Sequence, residues 1–69
     1  MKRTPVVSSY VASVGYDAHT MTLEVEFTKG SVYQYFDVPG TEYHALISAP
    51  SVGTYLNQNI KTRYRYTQL

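Results

Sequence analysis

From Thr20 to Thr28 the chain alternates without a break, with Met21, Leu23, Val25 and Phe27 on one side and Thr20, Thr22, Glu24, Glu26 and Thr28 on the other. Successive side chains of an extended strand point to opposite faces, so this segment reads as a strand with one buried and one wet face. Before it, Tyr10 to Tyr16 is rich in β-formers and leads into a turn, Asp17-Ala18-His19-Thr20. After it, Lys29-Gly30 punctuates and Val32 to Val38 forms another β-prone run. The expectation is a three-stranded antiparallel meander at about 9–16, 20–28 and 31–38.

Pro39 ends the sheet region and suits the first position of a helix, where a missing N–H costs nothing. Tyr43, Leu46 and Ile47 follow at i, i+3 and i+4, giving a helix at about 40–48. Pro50 breaks it. Ser51 can cap a second helix at about 52–62 that carries Leu56, Ile60 and Tyr64 on its apolar stripe. The fold class is therefore α+β, a meander with two short helices on one sheet face, in a single domain over 1–69 whose residues 1–7 form a flexible arm.

A chain of 69 residues buries only about 60% of its unfolded surface and supports one core. It has no cysteine, which excludes a disulfide framework and a cysteine zinc site, and suits a reducing, cytoplasmic setting. The start, Met1-Lys2-Arg3-Thr4-Pro5, lacks the apolar run of a secretory signal, and no stretch approaches the roughly 20 apolar residues that span a bilayer. No membrane partner is expected.

The register of the second hairpin decides where Tyr33 and Tyr35 point, because a slip of one residue turns both to the other face. A two-residue loop at Lys29-Gly30 needs positive φ at both positions, for which lysine is a poor first residue. A three-residue loop, Thr28-Lys29-Gly30, needs it only at Gly30. That loop pairs Phe27 with Ser31, Val25 with Tyr33 and Leu23 with Tyr35, placing both tyrosines under the helices as core walls. The opposite face then presents Val32, Phe36 and Val38 among Glu24, Glu26 and Gln34, an apolar patch needing a cover from the N-terminal segment, a partner protein or a second copy.

Catalytic candidates are thin, and none is expected. His19 is an exposed turn residue near Asp17. His44 has no second ligand at i+4, so no metal site is expected, and Glu42 or Ser48 is its natural partner. The four glycines form no phosphate-cradling loop. Ser51-Val52-Gly53-Thr54 reads as a capped helix start.

Charge is unevenly spread. All five carboxylates precede His44, while Lys61, Arg63 and Arg65 follow it with no acidic residue among them. There are also eight tyrosines, a residue suited to half-buried positions and recognition surfaces. The two features meet in Lys61-Thr62-Arg63-Tyr64-Arg65-Tyr66, where cations can meet phosphates and tyrosines can stack on bases. Lys61, Arg63, Arg65, Tyr64 and Tyr66 are accordingly the candidate nucleic-acid-binding residues. The competing reading has Tyr64 and Tyr66 closing the core while the cations stay solvated or meet Glu24 and Glu26.

The ordered landmarks Val14-Gly15-Tyr16-Asp17, Leu23-x-Val25-x-Phe27, Gly30-Ser31-Val32-Tyr33-Gln34-Tyr35, Val38-Pro39, Tyr43 with Leu46 and Ala49, and Ser51-x-Gly53-x-Tyr55-Leu56-Asn57 with Ile60 resemble the KTSC domain. This is a short module named for the C-terminus of certain lysyl-tRNA synthetases that also occurs alone in bacteria and phages. The resemblance spans about Ser9 to Tyr64, and Pro50 departs from the pattern. It implies a binding module without catalytic residues or cofactor, with Tyr33 and Tyr35 as the family's tyrosine pair, and RNA as the suggested partner. The expected function is thus binding of RNA or single-stranded nucleic acid through the C-terminus, or alternatively protein interaction or self-association through the exposed sheet face.

Overall fold

The computed structural model describes all 69 residues. The order is β1 (Thr4–Pro5), β2 (Val11–Asp17), β3 (Thr22–Phe27), β4 (Val32–Tyr35), α1 (Gly40–Ser48), α2 (Val52–Tyr55), a π-helical turn (Leu56–Ile60) and β5 (Tyr66–Gln68). The strands form one antiparallel sheet in the order β1-β2-β3-β4-β5.

The first two meander strands and the first helix match expectation to within two residues, except that Met21 precedes β3 with φ +54° and is exposed, and the hairpin register is the bulged one. Leu23 faces Tyr35 and Val25 faces Tyr33. The Phe27 N–H donates to Ser31 O at 2.9 Å, the Gly30 N–H to Phe27 O at 2.9 Å, and Gly30 takes φ +100°. In β2 a bulge between Val11 and Ser13 inserts one residue, so Val11 and Val14 both turn inward despite their odd spacing. The core comprises Val11, Val14, Leu23, Val25, Phe27, Tyr35, Val38, Leu46, Val52, Leu56 and Ile60. The sheet supplies one wall, while α1, α2 and the π-helical turn supply the other.

Four expectations need correction. The sheet has five strands rather than three, because β1 and β5 are two and three residues long, too short to leave a periodic trace. Residues 1–7 are not wholly a flexible arm. Thr4 and Pro5 pair with Val14 and Ser13, and the Val6 N–H donates to Ala12 O at 3.2 Å. Pro5 is tolerated because β1 is an edge strand. The third meander strand stops at Tyr35 rather than 38. Asp37 takes φ +59°, which breaks the alternation and sends Val38 into the core at 0% exposure. Val38 is therefore no part of an outer apolar patch. The second helix is α-helical only to Tyr55 before it widens, with the Lys61 N–H donating to Leu56 O at 2.9 Å.

The outer sheet face is polar and internally satisfied. Glu24 is buried there, accepting from Arg3 Nη1 at 3.0 Å and from Gln34 Nε2 at 2.9 Å, and Glu26 accepts from Ser13 Oγ at 2.9 Å. The N-terminal segment thus covers part of this face. A Cβ on Gly15 would stand 2.6 Å from Lys2 O, so only glycine lets that segment lie so close.

Candidate functional site: a tyrosine groove with two lysines

On its inner face the sheet is wider than the helices that cover it. Where cover ends, an open groove of about 390 Å³ is lined by Tyr10, Phe27, Lys29, Ser31, Tyr33, Tyr35, Lys61 and Tyr66. Its lining follows from register. Phe27, Tyr33 and Tyr35 share a face through the bulged hairpin, and Tyr66 joins them because β5 pairs it opposite Tyr35, with Gln68 opposite Tyr33.

The rings form a connected surface. Tyr10 meets Phe27 at 5.1 Å between centroids, Phe27 meets Tyr33 edge-on at 5.4 Å, and Tyr66 lies 5.6 Å from Tyr33 and 5.8 Å from Tyr35. Such tilted and edge-on arrangements suit the ring quadrupoles. Tyr35 is 1% exposed, Tyr33 is half-buried, and Tyr66 is 58% exposed with a free face. The Tyr33 hydroxyl donates to Gln68 Oε1 at 3.2 Å.

The groove's charge is all of one sign. Lys29 and Lys61 line it and no carboxylate does. The Lys61 ammonium sits 4.8 Å from the Tyr10 centroid and 5.2 Å from that of Phe27, and it donates to the Tyr10 hydroxyl. Burial, reinforced by the Tyr10, Tyr33 and Tyr66 phenols, pushes the Tyr35 pKa up to about 12. Tyr35 thus keeps its phenolic proton well above neutral pH.

The structure divides the five C-terminal candidates. Lys61 and Tyr66 enter the groove. Arg63, Tyr64 and Arg65 line a separate shallow hollow with Phe36 and Thr62, which Tyr66 also borders. Arg65 pairs with Asp37 at 3.0 Å, both side chains largely exposed, and lies over the Phe36 ring at 5.8 Å. Tyr64 packs on the core, and its hydroxyl donates to Glu42 Oε2 at 2.9 Å. The Tyr55 hydroxyl takes Glu42 Oε1, and Arg63 approaches Oε2 at 4.0 Å. So Glu42 is not the partner of His44, which is exposed and tilts against Tyr43 at 5.6 Å. Arg63 and Arg65 meet Glu42 and Asp37 rather than Glu24 and Glu26, and Lys61 meets no carboxylate. Of the two tyrosines expected to close the core, Tyr64 does and Tyr66 does not.

His19 is exposed in its turn, where its N–H donates to Asp17 Oδ1 at 2.9 Å. Ser51 Oγ caps α2 by accepting from the Thr54 N–H at 3.2 Å. No group of three or more potential metal-ligating side chains occurs, and no helix is long and apolar enough to cross a membrane. Sequence reasoning missed Tyr10, Phe27 and Lys29 as site residues. Phe27 was legible from the hairpin register, whereas Tyr10 lies just before β2 and reaches the groove through its contacts with Phe27 and Lys61, which leave no compositional signal.

Comparison with known proteins places this architecture. The KTSC domain family matches residues 7–64. This chain belongs to the KTSC domain family. The crystal structure of a KTSC domain protein from Yersinia pestis superposes with a TM-score of 0.93 at 35% identity, covering 99% of this chain and 96% of the other. An uncharacterised protein of Stutzerimonas stutzeri is 43% identical over all of this chain and 99% of its own length. A lysine–tRNA ligase of Trichormus variabilis is 44% identical over 61 residues. Those residues are 88% of this chain but 11% of the ligase, so the KTSC domain spans only a small part of that enzyme.

Proposed function

We propose that this KTSC domain is a non-catalytic RNA-binding module whose contact surface is the tyrosine groove. The observation that carries the reading is the pairing of a continuous aromatic surface, with the exposed Tyr66 ring at its edge, and two lysines unopposed by any carboxylate. Aromatic rings stack on unpaired bases with little sequence preference, at about 1–3 kcal/mol per base, while cations take the phosphates. The similarity to part of a lysine–tRNA ligase, an enzyme named for an RNA substrate, supports the same partner. The absence of any histidine or carboxylate from the groove supports binding over catalysis.

The test is titration of a labelled single-stranded RNA at two salt concentrations, with wild type and with Lys29→Ala, Lys61→Ala and Tyr66→Ala. The expected result is salt-dependent affinity that weakens in all three variants. Either lysine change should lower the salt slope by about one. Absence of binding at low salt, or affinity indifferent to these residues, contradicts the proposal.

A further inference from the structure

We infer that the groove receives a single nucleotide, base inward, with the Tyr35 hydroxyl hydrogen-bonded to the base edge and the phosphate at Lys29 and Lys61. The inference deepens the RNA-binding reading and rests on it. It begins from an oxygen the fold does not use. Tyr35 is 1% exposed, yet its hydroxyl has no hydrogen-bond partner within the chain, although no fully sealed polar side-chain atom is left unpaired. The oxygen is not sealed from solvent, and it belongs to a residue that lines the groove, so a ligand seated there can take its hydrogen bond. The raised pKa, about 12, keeps it protonated well above neutral pH, so its O–H is available to donate to a ligand acceptor. Every nucleobase carries such acceptors on its edge.

Size and charge narrow the occupant. A volume of about 390 Å³ lies at the small end of the roughly 300–1,000 Å³ usual for small-molecule sites. It has room for one base and its sugar rather than a run of stacked bases. Tyr66, 5.6 Å from Tyr33 and largely exposed, offers a ring face to that base. Lys61 is already held beside the groove by the Tyr10 and Phe27 rings, so less side-chain freedom is lost when a phosphate arrives. A base can enter only if it is unstacked, at a strand end, in a loop or flipped out. Duplex interiors are therefore excluded.

The experiment is a titration of the full chain with the 5′-monophosphates of the four nucleosides, with ribose 5-phosphate and inorganic phosphate as controls. Binding is followed by NMR of the tyrosine rings and by competition against labelled single-stranded RNA. Mononucleotides should shift Tyr35, Tyr33 and Tyr66 and displace the RNA, while ribose 5-phosphate and phosphate do so at least roughly tenfold more weakly. Tyr35→Phe should weaken mononucleotide binding about tenfold with no loss of folding stability, which separates a ligand contact from a structural one. The inference is overturned if RNA binds but mononucleotides do not compete, if ribose 5-phosphate competes equally well, or if Tyr35→Phe binds undiminished. Failure of every RNA to bind removes the module's RNA-binding reading itself, and this inference with it.

Discussion

Glu42 receives two phenol hydroxyls, from Tyr55 and Tyr64, and so ties α1 to α2 and to the segment leading into β5. Removing either hydroxyl leaves a half-buried carboxylate short of a donor. Tyr55→Phe and Tyr64→Phe are each expected to lower unfolding free energy in urea by about 1–2 kcal/mol. Because the two bonds share one acceptor, the double variant should be non-additive. Tyr35→Phe is the contrast, since its hydroxyl has no partner to lose, and its stability should equal or exceed that of wild type. Alkaline pH separates the same residues by another route. Burial raises the Tyr35 pKa from 10.0 to about 12, the hydrogen bond to Glu42 raises that of Tyr55, and burial together with the Glu42 bond raises that of Tyr64. A pKa raised in the folded state means the unfolded chain loses its proton first. Stability is therefore full below pH 10 and declines as pH rises toward 12. Urea unfolding across that range should show the decline, and Tyr35→Phe should make it shallower.

At the scale of elements, the two short outer strands decide both the shape of the sheet and the makeup of the site. The residues leading into β1 lie against Gly15, and Gly15→Ala would drive a methyl into Lys2 O. The expected cost is about 1–3 kcal/mol. Hydrogen exchange should show faster opening of the Val6 amide, whose bond to Ala12 O anchors the segment. Gly30→Ala strains a φ of +100° and should cost about 1–2 kcal/mol while leaving β1 protected. The central hairpin was legible because two local facts agreed. The alternation from Leu23 to Phe27 set the faces, and glycine at position 30 alone could take the left-handed turn. Asp37 carries no comparable mark, so the pattern runs on through Val38 and points a core valine to the outer face. β5 was invisible for a different reason. Three residues show no period, and Tyr66 becomes a groove residue only through its pairing with Tyr35 across the sheet. By composition the tail is one basic, tyrosine-rich surface, whereas strand pairing divides it between a groove and a hollow.

For the whole molecule, the central claim is that a small α+β domain leaves part of its sheet uncovered to keep an aromatic, cationic groove open. The edge strands are two and three residues long, a device that limits pairing between sheets of separate molecules. The most direct measurement is a residue-by-residue NMR map of the domain titrated with a short single-stranded RNA at low salt. The predicted result is a perturbed set centred on Tyr10, Lys29, Tyr33, Tyr35, Lys61 and Tyr66, reversed by added salt, with Arg63 and Arg65 less affected. A map centred on Arg63, Arg65 and Phe36, or one with no perturbed residues at all, would contradict the account.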